Sequence, residues 1–316
     1  MGEDYIFENA SQACLIEDIL MRLSSGSGLF HGGLTQRCHG LTSGMILLNS
    51  IHLYPVKSLR GIDAASAEVD ERGLVGDRRF LVVEPQTGRF ITQRTVPQMA
   101  LVSTALDQAR GLLVLSAEGH GEISIPLAPD PQAELRPVSV WSSTGMLAED
   151  CGDDVSVWME RIIGCPCRLV RIGPAFHRTV QSGQDLLSFA DGAPLLLAST
   201  ASLRELNERI SGSEGEAVPM DRFRPNLVVE SSEPFAEDRW TRLEIGGIRF
   251  RNSGPCERCI MTTTDQLTGK RGKEPLKTLA TFRRAPENAS AVLFGINLIQ
   301  ETKSGRIRVG DEVSVC

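Results

Sequence analysis

Asn252-Ser253-Gly254-Pro255-Cys256-Glu257-Arg258-Cys259-Ile260-Met261-Thr262-Thr263-Thr264-Asp265 is the stretch from which the rest of this chain is best read. Before it, residues 243–250 form two short β-like runs around Gly246-Gly247, a hairpin signal. After it, Gln266-Leu267-Thr268-Gly269-Lys270 is a polar turn. Two thiols, Cys256 and Cys259, are therefore expected on a loop leaving a strand. Gly254 and Pro255 stiffen the start of that loop. Arg258 is the sequence neighbour of Cys259, and a nearby guanidinium favours thiolate over thiol. A thiolate on a rigid loop suits a soft metal centre.

Other uses of two such thiols remain open at this point. A structural zinc needs four ligands, usually from two such pairs or one pair with histidines. There is no second C-x-x-C, and Cys165-Pro166-Cys167 has the wrong spacing. His31, His39, His52, His120 and His177 form no H-x3–5-H pair. A redox dithiol should open a helix, whereas residues 260–264 are β-branched and read as strand. Spacing alone does not name a metal.

Composition narrows the class. The chain has 316 residues, enough for two domains or for one large domain with an extension. A net charge of −7 and 5% aromatic residues argue against nucleic acid, which calls for a basic face and stacking rings. No apolar run reaches the roughly 18–20 residues of a membrane span. Eight cysteines without a signal peptide point to a reducing compartment and free thiols, so an intracellular protein is expected. Residues 1–45 read as an appendage: one short amphipathic helix over 14–23, then a Ser/Gly-rich linker.

From Met45 onward, strands recur about every ten residues with polar turns between them, the pattern of a β-rich barrel or sandwich. Three helices interrupt it. One covers residues 151–163, capped by Asp153 or Asp154; one follows Ser199-Thr200; one spans residues 275–282. Residues 177–188 are polar and read as a surface excursion. Residues 292–300 read as a long apolar strand.

Cations gather at strand ends on three separate loops: Lys57 with Ser58, Arg78 with Arg79, and Arg222 with Arg224. Forked guanidiniums, an ammonium and a hydroxyl suit a phosphate. Asn226 adds a donor and an acceptor suited to a heterocycle edge. Taken singly, each cation also reads as a solvated surface charge, and sequence alone does not bring them together.

These residues together resemble a known family. Tyr54-Pro55-Val56-Lys57-Ser58, Gly76-Asp77-Arg78, Phe189-Ala190-Asp191, Arg222-Phe223-Arg224-Pro225-Asn226, Pro255-Cys256-Glu257-Arg258-Cys259 with Thr262-Thr263, Lys273-Glu274-Pro275-Leu276, Phe294-Gly295 and Val309-Gly310-Asp311 occur in the order seen in MOSC-domain proteins. The similar branch includes the mitochondrial amidoxime-reducing component and the C-terminal part of molybdenum-cofactor sulfurase. The resemblance implies an α+β, β-rich fold: a β-barrel-like domain over 46–172 packed on a MOSC β-barrel domain over 173–316, with a few short helices. It implies molybdenum cofactor, Mo-molybdopterin, with Cys259 as the protein's metal ligand. It assigns Lys57, Ser58, Arg78, Arg224 and Asn226 to cofactor binding, and Asp191 beside the metal as a catalytic group. Cys256 is then expected to pack behind the ligand as a small hydrophobe.

The activity so implied is reduction of small N-hydroxylated substrates of the amidoxime type. The chain stops at Cys316 without an iron–sulfur cysteine cluster, so electrons are expected from a separate cytochrome b5-type protein or flavin/iron–sulfur reductase. The sulfurases' large pyridoxal-phosphate domain has no counterpart here. A second reading makes the chain a carrier of molybdenum cofactor, or of sulfur held on Cys259 as a persulfide.

Overall fold

The computed structural model describes residues 45–181, 183–231 and 233–316. The expected helix and linker before Met45 lie outside the described residues. One eight-stranded sheet organises the rest. Its strands run in the order Val313–Val315, Arg242–Ile245, Ile248–Arg258, Val292–Gln300, Leu195–Ser199, Leu227–Glu230, Leu47–Leu53 and Ile62–Ala64. The sheet also closes. Leu48 N donates to Asp311 O at 2.9 Å, Gly310 N to Leu48 O at 2.8 Å, and Val313 N to Ile46 O at 2.8 Å. The strand Leu47–Leu53 is thereby joined to the segment that leads into Val313–Val315, which covers an edge as barrels do.

The interior of this barrel is aliphatic. Leu48, Ile51, Leu195, Leu197, Leu227 and Ile296 are among the residues of one continuous core. Each such side chain contributes roughly 1.5–3 kcal/mol when fully buried. Gly246 and Gly247, at φ 56° and 81°, make the tight hairpin turn that the sequence promised. Leu195–Ser199 and Leu227–Glu230 run parallel, so a crossover must join them. Helix α2, Thr200–Gly212, is part of it, and the Ser199 hydroxyl caps it by accepting from Ala201 N and Ser202 N.

Helix α1, Asp153–Ile163, packs Trp158 and Met159 into a second core with Val56, Phe80, Met99 and Leu113. Its N-cap is Gly152 at φ 100°, not Asp153 or Asp154. Those two acids occupy the first turn, where carboxylates oppose the positive helix end. Around this core lie a four-stranded sheet and a three-stranded meander over 103–126, whereas the short helix α3, Leu276–Phe282, packs Leu279 into a separate core with Leu206 and Ile210 of α2. The described residues thus form a strand-rich α+β fold with three α-helices, as expected. None of those helices is long and apolar enough to cross a membrane.

Two local expectations are corrected. The surface excursion expected over 177–188 is anchored inward at both ends: Val180 and Leu187 join Ala190 and Ile299 in a small core, and Arg178 and Ser188 are buried, while His177, Gln181, Gly183 and Gln184 are exposed. Residues 260–263 form a 3-10 turn rather than a strand. There the Thr262 and Thr263 hydroxyls donate to the carbonyls of Cys259 and Ile260, and these local bonds override β-branched propensity.

Candidate functional site

The strand Ile248–Arg258 does not stop before the thiols. It runs through Cys256, and Cys259 is the first residue beyond its end. Register shifts against Val292–Gln300 fall between Asn252 and Gly254 and between Pro255 and Glu257. Gly254, at φ 122°, makes the first shift possible, and Asn252 Oδ1 accepts from its N–H at 2.7 Å. Such bulges bend a strand and re-aim its side chains. Alternation then puts Arg258 on the side of Cys256: its Nη1 donates to that sulfur at 2.8 Å. Cys259 receives a different guanidinium, Arg94 Nε at 3.3 Å. The expected partnership of Arg258 with Cys259 is therefore replaced by one that comes from 165 positions away. Burial raises the pKa of the Cys256 thiol, with Arg258 opposing the shift.

The cations converge. Arg78 and Arg224 both lie over the Tyr54 ring, at 4.4 Å and 4.2 Å from its centroid. Guanidiniums at that distance are attracted by the ring's negative face. Tyr54 is itself fixed, since its hydroxyl donates to Pro225 O at 3.1 Å, and burial pushes its pKa up to about 12. Arg78 Nη1 donates to Asp77 Oδ2 and Asn226 Oδ1, each at 2.6 Å. Asn226 is largely engaged in this scaffold: Oδ1 also accepts from Leu196 N, and Nδ2 donates one hydrogen to His52 O. Its amide orients Arg78 more than it offers an edge to a ligand. Arg79 turns away to Asp70, and Arg222 is tied to Asp265 at 2.8 Å.

Asp191 lies at the centre of a second cluster. Its Oδ1 accepts from Lys57 Nζ and, at 2.9 Å, from Trp141 Nε1; Arg94 Nη2 stands 3.6 Å from Oδ2. Burial would raise this carboxyl's pKa. The charges of Lys57 and Arg94, with hydrogen bonds from Lys57 and Trp141, overturn that and hold it well below the usual carboxylate range. Lys57 is almost wholly enclosed, and burial pushes its amine down to about 8 in spite of Asp191. Arg178, absent from the sequence reading, closes the floor by donating to the carbonyls of Ser188, Ala190 and Asp191.

The backbone is strained where these side chains meet. Six non-glycine residues among those described have positive φ, and four of them, Ser58, Arg78, Trp141 and Arg224, line one cavity. Each such conformation costs about 1–3 kcal/mol and persists only where the surroundings impose it. The cavity measures ≈ 970 Å³. Lys57, Ser58, Arg78, Asp191, Arg224, Asn226 and Cys259, the whole set nominated from sequence, line it together with Cys256. Arg94, Trp141 and Arg178 were not nominated. Each is a lone residue in a polar turn, with no motif to mark it.

Charge in the cavity is lopsided. Seven cationic side chains face it against two carboxylates, Asp191 and Glu257, on a chain whose net charge is −7. Burial pushes Arg224 and Arg178 down to about 10 each, a sign of cations lacking full compensation. Buried Nη1 of Arg94 and Nε of Arg222 and Arg258 have no hydrogen-bond partner. The excess of cations over carboxylates is what suits this cavity to an anionic ligand. Among the described residues no three His, Cys, Asp or Glu side chains gather around one point. A metal beside Cys259 would therefore take its other ligands from a bound molecule or water.

Comparison with known proteins agrees with this architecture. Residues 45–166 match the family model described as MOSC N-terminal beta barrel domain, and residues 184–314 match the MOSC domain. The chain is 31% identical to mitochondrial amidoxime-reducing component 1 of Mus musculus, covering 83% of this chain and 79% of the relative. It is 32% identical to mitochondrial amidoxime reducing component 2 of Rattus norvegicus, covering 84% and 82%. It is 34% identical to molybdenum cofactor sulfurase of Danio rerio over 81% of this chain. The chain spans about a third of the length of the sulfurases it matches, 32% in that case. The chain belongs to the MOSC-domain family, in the branch that carries an N-terminal MOSC β-barrel domain ahead of the MOSC domain.

Proposed function

We propose that this protein is a molybdenum-cofactor-dependent oxidoreductase that reduces N-hydroxylated compounds of the amidoxime type. The observation that carries the reading is a half-buried sulfur, Cys259, in one cavity with an excess of cations. A phosphorylated pterin is anionic and supplies its own sulfur ligands, so it needs what this cavity offers: guanidiniums, an ammonium and one thiolate. Lys57 and Ser58 would hold it from one loop, Arg78 and Arg224 from the Tyr54 platform, and Asn226 by fixing Arg78. Cys259 would bind the metal, with Arg94 donating to the sulfur. When bound, the cofactor would supply two-electron exchange coupled to oxygen-atom removal.

The residues of the chain set the conditions. In the overall change the N–O bond of the amidoxime breaks, two electrons and two protons enter, and an amidine and water leave. Asp191 is held ionised, so it accepts hydrogen bonds from substrate and does not donate a proton. Lys57 shields that charge from the interior. The electrons would come one at a time from a separate donor protein, cytochrome b5-type or flavin/iron–sulfur. In support stand the two amidoxime-reducing relatives, which this chain matches over most of their length.

The test uses protein made in a molybdopterin-producing host. Molybdenum near one atom per chain and consumption of benzamidoxime under a chemical reductant are expected, and Cys259→Ala should lose the activity while melting at an unchanged temperature. Full activity in Cys259→Ala would overturn the assignment. The likeness to sulfurases favours one other reading, carriage of cofactor or of sulfur on Cys259. A sulfur carrier predicts reductant-releasable sulfide without metal, a cofactor carrier predicts molybdenum, and neither turns over benzamidoxime.

A further inference from the structure

The strand Leu47–Leu53 carries a second set of reactive side chains, on the face turned away from the barrel's core. The strand is bulged between Leu48 and Ser50 where it pairs with Leu227–Glu230. Alternation restarts after the bulge. Ile51 and Leu53 join the core, so Ser50 and His52 share the opposite face. The neighbouring antiparallel strand, Ile62–Ala64, sets Asp63 directly across from His52. Side chains paired in this way lie within reach of each other.

The three groups are joined in line. His52 Nδ1 lies 2.7 Å from Asp63 Oδ1, and Ser50 Oγ lies 2.8 Å from His52 Nε2. With the Nδ1 proton directed at the carboxylate, Nε2 is left to accept from the Ser50 hydroxyl. That is the order nucleophile, base, orienting acid. The base is fixed through its backbone: His52 N donates to Asn226 O at 2.8 Å, and His52 O accepts from Asn226 Nδ2 at 3.1 Å.

A cleft of ≈ 310 Å³ opens over Ser50 and His52 and is walled on one side by α2. Leu203, Met220 and Val228 make it partly apolar, and Arg204 adds a cation. The Thr200 hydroxyl on the same wall is buried without a hydrogen-bond partner. No residue that lines this cleft also lines the cavity of Cys259.

We propose that Ser50 and His52 form a second catalytic site, a serine esterase for small esters of short-chain carboxylic acids, with Asp63 as its positioning residue. This site is independent of the molybdenum reading. Ser50 Oγ bonds to the ester carbonyl carbon while its proton passes to His52 Nε2. The C–O bond to the alcohol then breaks, and the alcohol leaves with that proton. Water attacks the acyl group on Ser50 and gives a proton to Nε2. The carboxylic acid departs, and the proton returns to Ser50 Oγ. Asp63 holds the imidazole in the required tautomer, and the Thr200 hydroxyl and Arg204 are the donors for the oxygen that becomes negative.

The test uses the full chain with its cysteine thiols capped by iodoacetamide, so that sulfur does not contribute. One portion is given p-nitrophenyl acetate, another a fluorophosphonate probe followed by peptide mass spectrometry. Release of p-nitrophenolate above the buffer rate and a phosphonyl adduct on Ser50 are expected. Ser50→Ala and His52→Gln should each lower kcat on the order of 100-fold, and Asp63→Asn about tenfold with KM little changed. Asp63→Glu should recover most of that loss, which a merely structural role would not predict. Equal rates for wild type and Ser50→Ala would overturn the proposal, as would hydrolysis no faster than in buffer or a probe that leaves Ser50 unmodified. The adduct is read on wild-type protein, so it decides even where a variant fails to fold.

Discussion

At the residue scale the site depends on one ring. Tyr54 is buried with two guanidiniums stacked against it, and its hydroxyl makes one hydrogen bond, to Pro225 O. Tyr54→Phe keeps the platform and should cost about 1 kcal/mol, the net worth of that bond. Tyr54→Ala should cost roughly 3–5 kcal/mol, as for other buried aromatics, and release Arg78 and Arg224. Denaturant unfolding and inorganic phosphate binding would read the two effects separately. Lys57 gives a pH signature. Its amine is lowered from 10.5 to about 8 by burial, so between those values the folded chain binds fewer protons than the unfolded chain. The sign follows: this residue's contribution opposes folding fully below pH 8 and fades as pH rises to about 10.5. Between those limits, wild type should gain stability relative to Lys57→Met, measured by urea midpoints at pH 7.5, 9 and 10; parallel curves would show an amine that is not so shifted. Tyr54, Lys57 and Cys259 were legible in the sequence because they sit in short ordered motifs. Arg94 and Trp141 were not, because their partners are 165 and 50 positions away and only folding brings them together.

At the element scale, the strand Val292–Gln300 is the partner against which the thiol strand is bulged, and Gly295 lets it approach the next strand. Its φ is 77°, and a Cβ there would lie 2.5 Å from the Leu197 carbonyl oxygen, which is backbone and does not yield. Gly295→Ala should therefore destabilise by about 2 kcal/mol or more through strain plus clash, and should also loosen Phe223 from Phe294, whose rings stack at 3.8 Å. Thermal melts would show the loss, and an unchanged melting temperature would contradict the contact. Elements of this kind were readable: the Ser199 cap, the long strand and the Gly-Gly hairpin follow local rules that the structure keeps. The 3-10 turn after Cys259 was misread because three threonines carry strand propensity, yet two of their hydroxyls bond back to the carbonyls that close the turn. Residues 177–188 were misread for a related reason. Polar composition suggested solvent, but Arg178 is satisfied by carbonyls of the chain itself.

At the scale of the whole molecule, residues 45–166 and 184–314 match separate family models, yet the barrel's core draws on both. Leu48, Ile51 and Leu53 come from the first matched range and pack among Leu195, Leu227 and Ile296 from the second. The strand that carries them stands between Leu227–Glu230 and the 310–313 segment, so it closes the barrel. Removing it withdraws three aliphatic side chains, about 5–9 kcal/mol of burial at the usual values, and leaves two new unpaired strand edges. Typical domain stability is about 5–15 kcal/mol, so the remainder has little or nothing to spare. A fragment of residues 173–316 should therefore show no cooperative melt, whereas residues 45–316 should melt in one transition. Adding residues 45–172 in trans should restore a transition, because every backbone pairing lost is regained on association. Cooperative unfolding of 173–316 alone, with a dispersed amide spectrum, would mean that the closing strand is dispensable. The cavity between the Lys57 loop and Cys259 would then be a docking arrangement of two independent bodies.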